Sequence, residues 1–311
     1  VLNYAASFFS LAMIALGAAP GWGHGTPITV EVIEGALSVS HSSPAGYAPD
    51  IFGQAGSESD PQGPLNVTLI GEALRWDQPG IDLNGVSEAA SLHLDPLLLA
   101  GPSGVPRTLW HWNPATRDVA AATAGVELVV LPLDGELTRL NGQDTTDHAP
   151  ITLANNLVGL TDYDAHHDLA KFAMPYHSNL PSGLYGFFAR FTSNTYEASQ
   201  PFLTIFNVQV SHDDLVLASD ALWGAAFPGD YNRDGQVDST DDSAWRSAYG
   251  SDPTVRWAGA DGNGDGLVDA ADYTVWRDQQ GMPLGTGRTV PEPSTIALLL
   301  VVASCSGGRR R

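Results

Sequence analysis

The chain of 311 residues has one cysteine, Cys305, and one lysine, Lys171. A single thiol forms no intramolecular disulfide, so stability has to come from a packed core or from bound ions. Lysine and arginine together number 14 against 35 aspartates and glutamates, a formal net charge of −21. Nucleic acid is excluded as a partner, because phosphate backbones need a basic face. An acidic surface suits solubility and does not reveal the fold. Glutamate is thin over the middle of the chain: Glu31, Glu34, Glu58, Glu72, Glu88, Glu127, Glu136 and Glu197, none with a catalytic neighbourhood. Catalytic templates are missing too: there is no Gly-x-Ser-x-Gly elbow, phosphate loop or dinucleotide fingerprint. A carboxylate pair for glycosidic cleavage cannot be recognised without a fold.

Helical periodicity is also scarce between His24 and Leu222. Short alternating or β-branched runs recur instead: Ile28–Ile33, Leu37–His41, Asn66–Ile70, Ser91–Leu94, Thr108–Trp112, Val126–Leu131, Leu184–Thr192 and Phe202–Val210. Breakers separate them, among them Pro44-Ala-Gly46, Gln78-Pro-Gly80, Asn84-Gly85, Leu133-Asp-Gly135 and Asn141-Gly142. Many short strands with Gly- and Pro-rich turns predict an antiparallel β-sandwich or jelly-roll-like domain. Residues 55–64, poor in apolar side chains, read as a surface loop.

The most aromatic stretch is Gly183-Leu-Tyr185-Gly-Phe187-Phe188-Ala-Arg190-Phe191. Alternation puts Leu184, Gly186, Phe188 and Arg190 on one face and Tyr185, Phe187, Ala189 and Phe191 on the other. A buried central strand is the simpler reading, and a sugar-stacking platform the sharper one. Trp110 and Trp112 likewise share a strand face, where core packing is the simpler reading. Asp162, Asp164, His166, His167, Asp168 and His177 are an inventory for a transition metal or for acid–base chemistry. Their spacing matches no zinc signature, and a solvated loop with local hydrogen bonds accounts for them.

What the chain does have is one acidic design written twice. Asp230, Asn232, Asp234, Gly235, Gln236, Val237, Asp238 and Asp241 recur as Asp261, Asn263, Asp265, Gly266, Leu267, Val268, Asp269 and Asp272, starting 31 residues apart. This is the layout of an EF-hand-type calcium loop. Side-chain oxygens come from positions 1, 3, 5 and 12, the backbone carbonyl of position 7 (Gln236, Leu267) adds another, and position 9 holds a water. Glycine at position 6 permits the sharp turn at positive φ. Val237 and Val268 at position 8 predict an apolar contact between the loops. From Asp230 to Asp278 there are eleven Asp, no Glu and four Arg. Such crowding is repulsive without a cation, so binding energy doubles as folding energy. Chelation is expected to unfold this segment and leave the larger N-terminal region intact.

Position 12 is Asp in both copies. The preceding stretches, Ala225-Ala-Phe-Pro-Gly229 and Arg256-Trp-Ala-Gly-Ala260, are too short or too rich in Gly and Pro to be entering helices. A loop followed by one helix, given twice, resembles a type I dockerin over roughly residues 229–281. The resemblance implies two Ca2+ ions and docking to a cohesin-type protein, commonly on secreted polysaccharide-degrading enzymes. Positions 10 and 11 are Ser239-Thr240 in one copy and Ala270-Ala271 in the other, so the two faces differ. Trp245-Arg246 and Trp276-Arg277 do match, and read as packing between the two helices.

The C-terminus reads Val290-Pro-Glu-Pro, then an apolar run to Ser304, then Arg309-Arg-Arg311. This resembles a PEP-CTERM sorting signal of Gram-negative bacteria, which implies an exosortase-type processing enzyme and removal of the tail after export. The run is shorter than the roughly 20 apolar residues of a stable span, so membrane contact is transient, and the arginines hold its end on the cytoplasmic side. Residues 4–19 form an apolar core of signal-peptide length. The combination looks like the exported proteins of planctomycete-type bacteria.

The expected layout is therefore a signal peptide (1–23), a β-sandwich domain (24–222), a small α-helical dockerin-like calcium module (223–284) and a sorting tail (285–311). The expected protein is exported to the cell surface, outer envelope or extracellular space, a non-enzymatic binding or structural protein for a matrix component or polysaccharide. The alternative is a glycoside hydrolase-like or carbohydrate-binding component delivered through its dockerin.

Overall fold

The computed structural model describes residues 28–40, 50–54, 73–76, 80–160, 169–175, 180–208, 210, 212–282 and 284. The expected signal peptide, sorting tail, strand at Asn66–Ile70, loop at 55–64 and histidines His166, His167 and His177 lie outside them. Among the described residues the chain is mainly β, with fourteen strands and three helices. No helix there is long and apolar enough to cross a membrane.

The strands form three sheets. In the first, β1 (Ile28–Ile33) lies between β2 (Ala36–Ser40) and β5 (Ile81–Asn84). The second runs β10 (Thr138–Asn141), β9 (Glu127–Pro132), β12 (Ala170–Pro175), β4 (Ala73–Trp76). The third runs β11 (Ile151–Ala154), β6 (Leu92–Pro96), β13 (Gly183–Thr192), β14 (Phe202–Val208), β3 (Asp50–Gln54), with β7 (Trp110–Asn113) on β13 and β8 (Asp118–Ala121) on β7. Pairing is antiparallel except for two parallel pairs, β1 with β5 and β3 with β14. Those two exceptions correct the purely antiparallel expectation. Each joins strands far apart in sequence, where no hairpin turn sets the direction.

Strand β13 is the hub. It pairs β14 from Gly183 to Ala189 along one edge, and β7 and β6 in turn along the other. Its side chains alternate as the sequence predicts. Tyr185, Phe187, Ala189 and Phe191 enter a core that draws on all three sheets, including Val30, Leu94, Val130 and Phe172. Within it Phe172 and Phe206 lie 5.1 Å apart, and Phe191 stacks on Phe202 at 4.9 Å. Leu184 and Phe188 face the other way, into a second core with Trp110, Trp112, Leu203 and Ile205. His111 points opposite to its tryptophan neighbours and stacks on Tyr185 at 4.6 Å. The β13 aromatics are buried, which is the simpler of the two readings of this strand.

The second core is closed by a helix the sequence did not announce, α1 (His212–Ala226). It brings Leu215, Ala218, Ala221, Leu222, Trp223 and Ala225 onto the sheet. The spacing 215, 218, 222, 225 lies on one helical face. Each fully buried large apolar side chain contributes roughly 1.5–3 kcal/mol. Gly186 leaves room for this contact: a Cβ there would stand 3.1 Å from Leu203 and 3.2 Å from Leu222. Pro228 disfavours helical backbone at Phe227, so the helix ends at Ala226. The expectation that no helix enters the first acidic loop is thereby corrected, since only Phe227, Pro228 and Gly229 separate α1 from Asp230. Before the second loop, at 251–260, there is no helix.

Candidate metal centre

The two acidic loops fold alike and share most of their hydrogen bonds; the second adds Asp265 N–H to Asp261 Oδ1 at 3.1 Å, where Asp230 Oδ1 has no donor. The position-1 carboxylates accept from the position-6 glycines, Gly235 N–H to Asp230 at 3.2 Å and Gly266 N–H to Asp261 at 3.0 Å. Those glycines have φ of +85° and +89°, which a side chain would strain. At position 3 the amide oxygens of Asn232 and Asn263 accept from Asp234 N–H and Asp265 N–H at 3.0 and 2.9 Å. At position 5, Asp234 and Asp265 accept from the N–H of Gln236 and Leu267 at 3.0 and 2.9 Å.

Each loop ends as a helix cap. Helix α2 (Ser239–Ala248) starts from Asp238 and α3 (Ala270–Gln279) from Asp269, both with φ −139° and ψ −160°. Both are capping boxes: the position-9 side chain accepts from the N–H of Thr240 or Ala271, and the position-12 side chain accepts from the N–H of position 9. The same position-12 carboxylates reach back across the loop, Asp241 to Asn232 N–H at 3.0 Å and Asp272 to Asn263 N–H at 3.1 Å. An aspartate at position 12 thus ties loop start to helix start.

The two copies lock together reciprocally. Trp245 donates its indole N–H to the Asp269 carbonyl at 2.8 Å, and Trp276 to the Asp238 carbonyl at 2.7 Å. Val237 and Val268 share a small core with Tyr231, Ala260 and Trp276, the interloop contact expected at position 8. The matched tryptophans therefore serve packing between the copies. At position 2 the copies differ to fit each other. A Cβ on Gly262 would meet the Tyr231 hydroxyl at 2.3 Å, and that hydroxyl donates to the Asp272 carbonyl at 2.7 Å.

Electrostatics single out the buried carboxylates. Asp230, Asp241, Asp261 and Asp272 are all buried. Burial pushes the carboxyls of Asp241, Asp261 and Asp272 above the ordinary range. Asp230 goes furthest, to about 7, through burial first and then the Asp241 and Asp234 carboxylates, against hydrogen bonds from Trp223 and Gly235. Its Oδ1 is buried with no hydrogen-bond donor, and the residue is only 2 % exposed. A carboxylate oxygen in that position suits a cation. The rest of the donor set is oxygen only, which suits Ca2+ or Mg2+ over softer metals. Two ions would be held by Asp230, Asn232, Asp234, the Gln236 carbonyl, Asp238 and Asp241, and by Asp261, Asn263, Asp265, the Leu267 carbonyl, Asp269 and Asp272. Among the described residues no three His, Cys, Asp or Glu side chains converge as a ready metal group. The loop carboxylates face backbone N–H groups instead.

These shifts predict an inverted pH response for the calcium-free chain. A carboxyl whose folded pKa lies above its unfolded value of about 4 favours the fold while protonated. The Asp230 contribution is therefore full below about pH 4 and lost as pH rises towards about 7. In EDTA the residual helical circular dichroism of the wild type, minus that of Asp230→Asn, should fall between pH 5 and pH 8 as residues 229–281 unfold. A difference that rises with pH would contradict this.

Residues to which the sequence reading gave no part in the loops brace them from outside. The Trp223 indole N–H donates to Asp230 Oδ2 at 3.2 Å, and the Trp257 N–H to Asp261 Oδ2 at 3.1 Å. Arg233, at position 4 of the first loop, is ion-paired with Asp220 of α1. Only the missed helix could have pointed to Asp220 and Trp223. Comparison with family models, curated proteins and solved structures finds no match for this chain.

Proposed function

We propose that residues 229–281 are a dockerin-like module that binds two Ca2+ ions, carried by an exported protein whose larger domain is a β-sandwich with a binding or structural, non-enzymatic role. The observation that carries the reading is that two acidic loops share one set of backbone-to-side-chain hydrogen bonds at positions 1, 3, 5 and 12, each with a buried position-1 aspartate, one of them holding a donorless oxygen. Four carboxylates in each loop repel one another, and two divalent ions offset that repulsion and add folding energy. The sandwich reading draws support from a core supplied by all three sheets. A structural role for that domain, over a sugar-binding platform, draws support from the burial of Tyr185, Phe187, Phe188 and Phe191. The apolar run with Arg309-Arg-Arg311 and the Pro-Glu-Pro box favour export and tail removal by an exosortase-type enzyme. The partner proposed for the module is a cohesin-type protein, and for the larger domain a matrix component or polysaccharide.

Equilibrium dialysis of the full chain against 45Ca tests the reading. The wild type should hold two ions, and Asp230→Ala or Asp261→Ala one. No retained calcium at millimolar concentration would contradict it.

A further inference from the structure

The module is joined to the β-domain by more than a linker, and the joint passes through both loops. Trp223 sits near the end of α1, 0 % exposed. Its ring meets Phe188 of β13 edge-on at 5.9 Å and Phe227 at 4.8 Å. The indole N–H at its other edge reaches Asp230 Oδ2, at position 1 of the first loop. That oxygen also takes the Gly235 N–H, which leaves Oδ1 as the donorless one. One ring therefore touches the central strand of the sheet and orients the buried carboxylate.

The next residue reaches the second loop. At Gly224 the α1 backbone approaches the segment before that loop so closely that a Cβ would lie 1.8 Å from the Trp257 carbonyl oxygen. The N–H of Trp257 in turn holds Asp261 Oδ2, at position 1 of the second loop. Val255 and Ala258 share the apolar cluster of Leu222, Trp223 and Phe188. One turn earlier on the helix, Asp220 pairs with Arg233 of the first loop.

We propose that α1 is a calcium-linked strut, in which an ion at the first loop tightens the docking of α1 on the β-sheet through Trp223 and Asp230. This rests on the calcium reading above. By reciprocity, whatever calcium adds to α1 docking, docking adds to calcium affinity. Trp223 is a positioning residue: it fixes the orientation of the Asp230 carboxylate and shields it from water. In calcium the module is then held in one orientation on the sheet, and without calcium it is released together with α1.

The test is hydrogen exchange on the full chain, with calorimetry on the same samples. In the wild type, calcium should slow exchange across Leu215–Phe227 about tenfold, the factor supplied by a hydrogen bond to a charged group. Trp223→Phe keeps a ring against Phe188 but removes the donor. It should still bind two ions, with the slowing of α1 reduced to less than about threefold and the first-loop affinity about tenfold weaker. If that variant does not fold, Asp230→Asn replaces it, and should keep one ion but lose the slowing of α1. Calcium heat without any slowing in the wild type would overturn the strut and leave the calcium reading standing. So would full slowing in Trp223→Phe or in Asp230→Asn. No calcium heat at all would overturn both.

Discussion

Removal of calcium with EDTA is expected to unfold residues 229–281 and to loosen α1, while the core between the three sheets survives. The loops concentrate buried aspartates that ordinary solvent does not stabilise. Without an ion, burial and mutual repulsion raise their pKa values, the signature of an ionised form at a disadvantage. An ion at a hundredfold excess over its Kd contributes about 2.7 kcal/mol, so two contribute about 5. That is comparable with the whole stability of a small domain, about 5–15 kcal/mol. From the acidic repeats alone, the expected boundary of unfolding lies where the repeats begin. The shared core of Leu222, Trp223, Val255 and Ala258 moves that boundary back into α1. Limited proteolysis in EDTA should therefore cut within residues 212–282 and leave a resistant fragment ending near Val210. Unchanged resistance of the acidic repeats in EDTA would contradict the expectation.

Gly224→Ala is expected to destabilise the chain by about 1–3 kcal/mol, although local propensity argues the other way. Gly224 lies inside α1, where alanine is favoured over glycine by about 1 kcal/mol. The new methyl would stand 1.8 Å from the Trp257 carbonyl oxygen and 2.9 Å from its carbon. Both are backbone atoms, so no rotamer change relieves the clash. The segment before the second loop must move away from α1, taking the Trp257 N–H away from Asp261. A lowered melting temperature in calcium, with weaker affinity at the second loop, is the predicted outcome. A raised one would mean that propensity wins and that the contact is loose.

The contrast between loops and strut shows what a single sequence carries. The loops are legible because their chemistry is local. Oxygen side chains at fixed offsets and glycine at position 6 all act within twelve residues of chain, and a second copy repeats them. Strand β13 was legible for a similar reason: period-two alternation separates Tyr185, Phe187 and Phe191 from Leu184 and Phe188 whichever strands lie beside it. Helix α1 was hidden because it is covered on more than one side. Leu215, Leu222 and Trp223 meet the sheet, while Gly224 meets the approach to the second loop. With Trp223 buried off the face of Leu215, Ala218, Leu222 and Ala225, the apolar positions do not form one clean stripe. The parallel pairs β1–β5 and β3–β14 were hidden by distance, since long connections leave no turn signature. The hydrogen bond from Trp223 to Asp230 depends on the placement of that helix.

The central claim is that two Ca2+ ions sit in the two loops. The most direct measurement is an anomalous difference map from crystals of the full chain grown in calcium, collected at long wavelength. The account predicts two peaks. One should lie among Asp230, Asn232, Asp234, the Gln236 carbonyl and Asp241, and the other among Asp261, Asn263, Asp265, the Leu267 carbonyl and Asp272. No peak in either loop at saturating calcium, with both loops ordered, would contradict it.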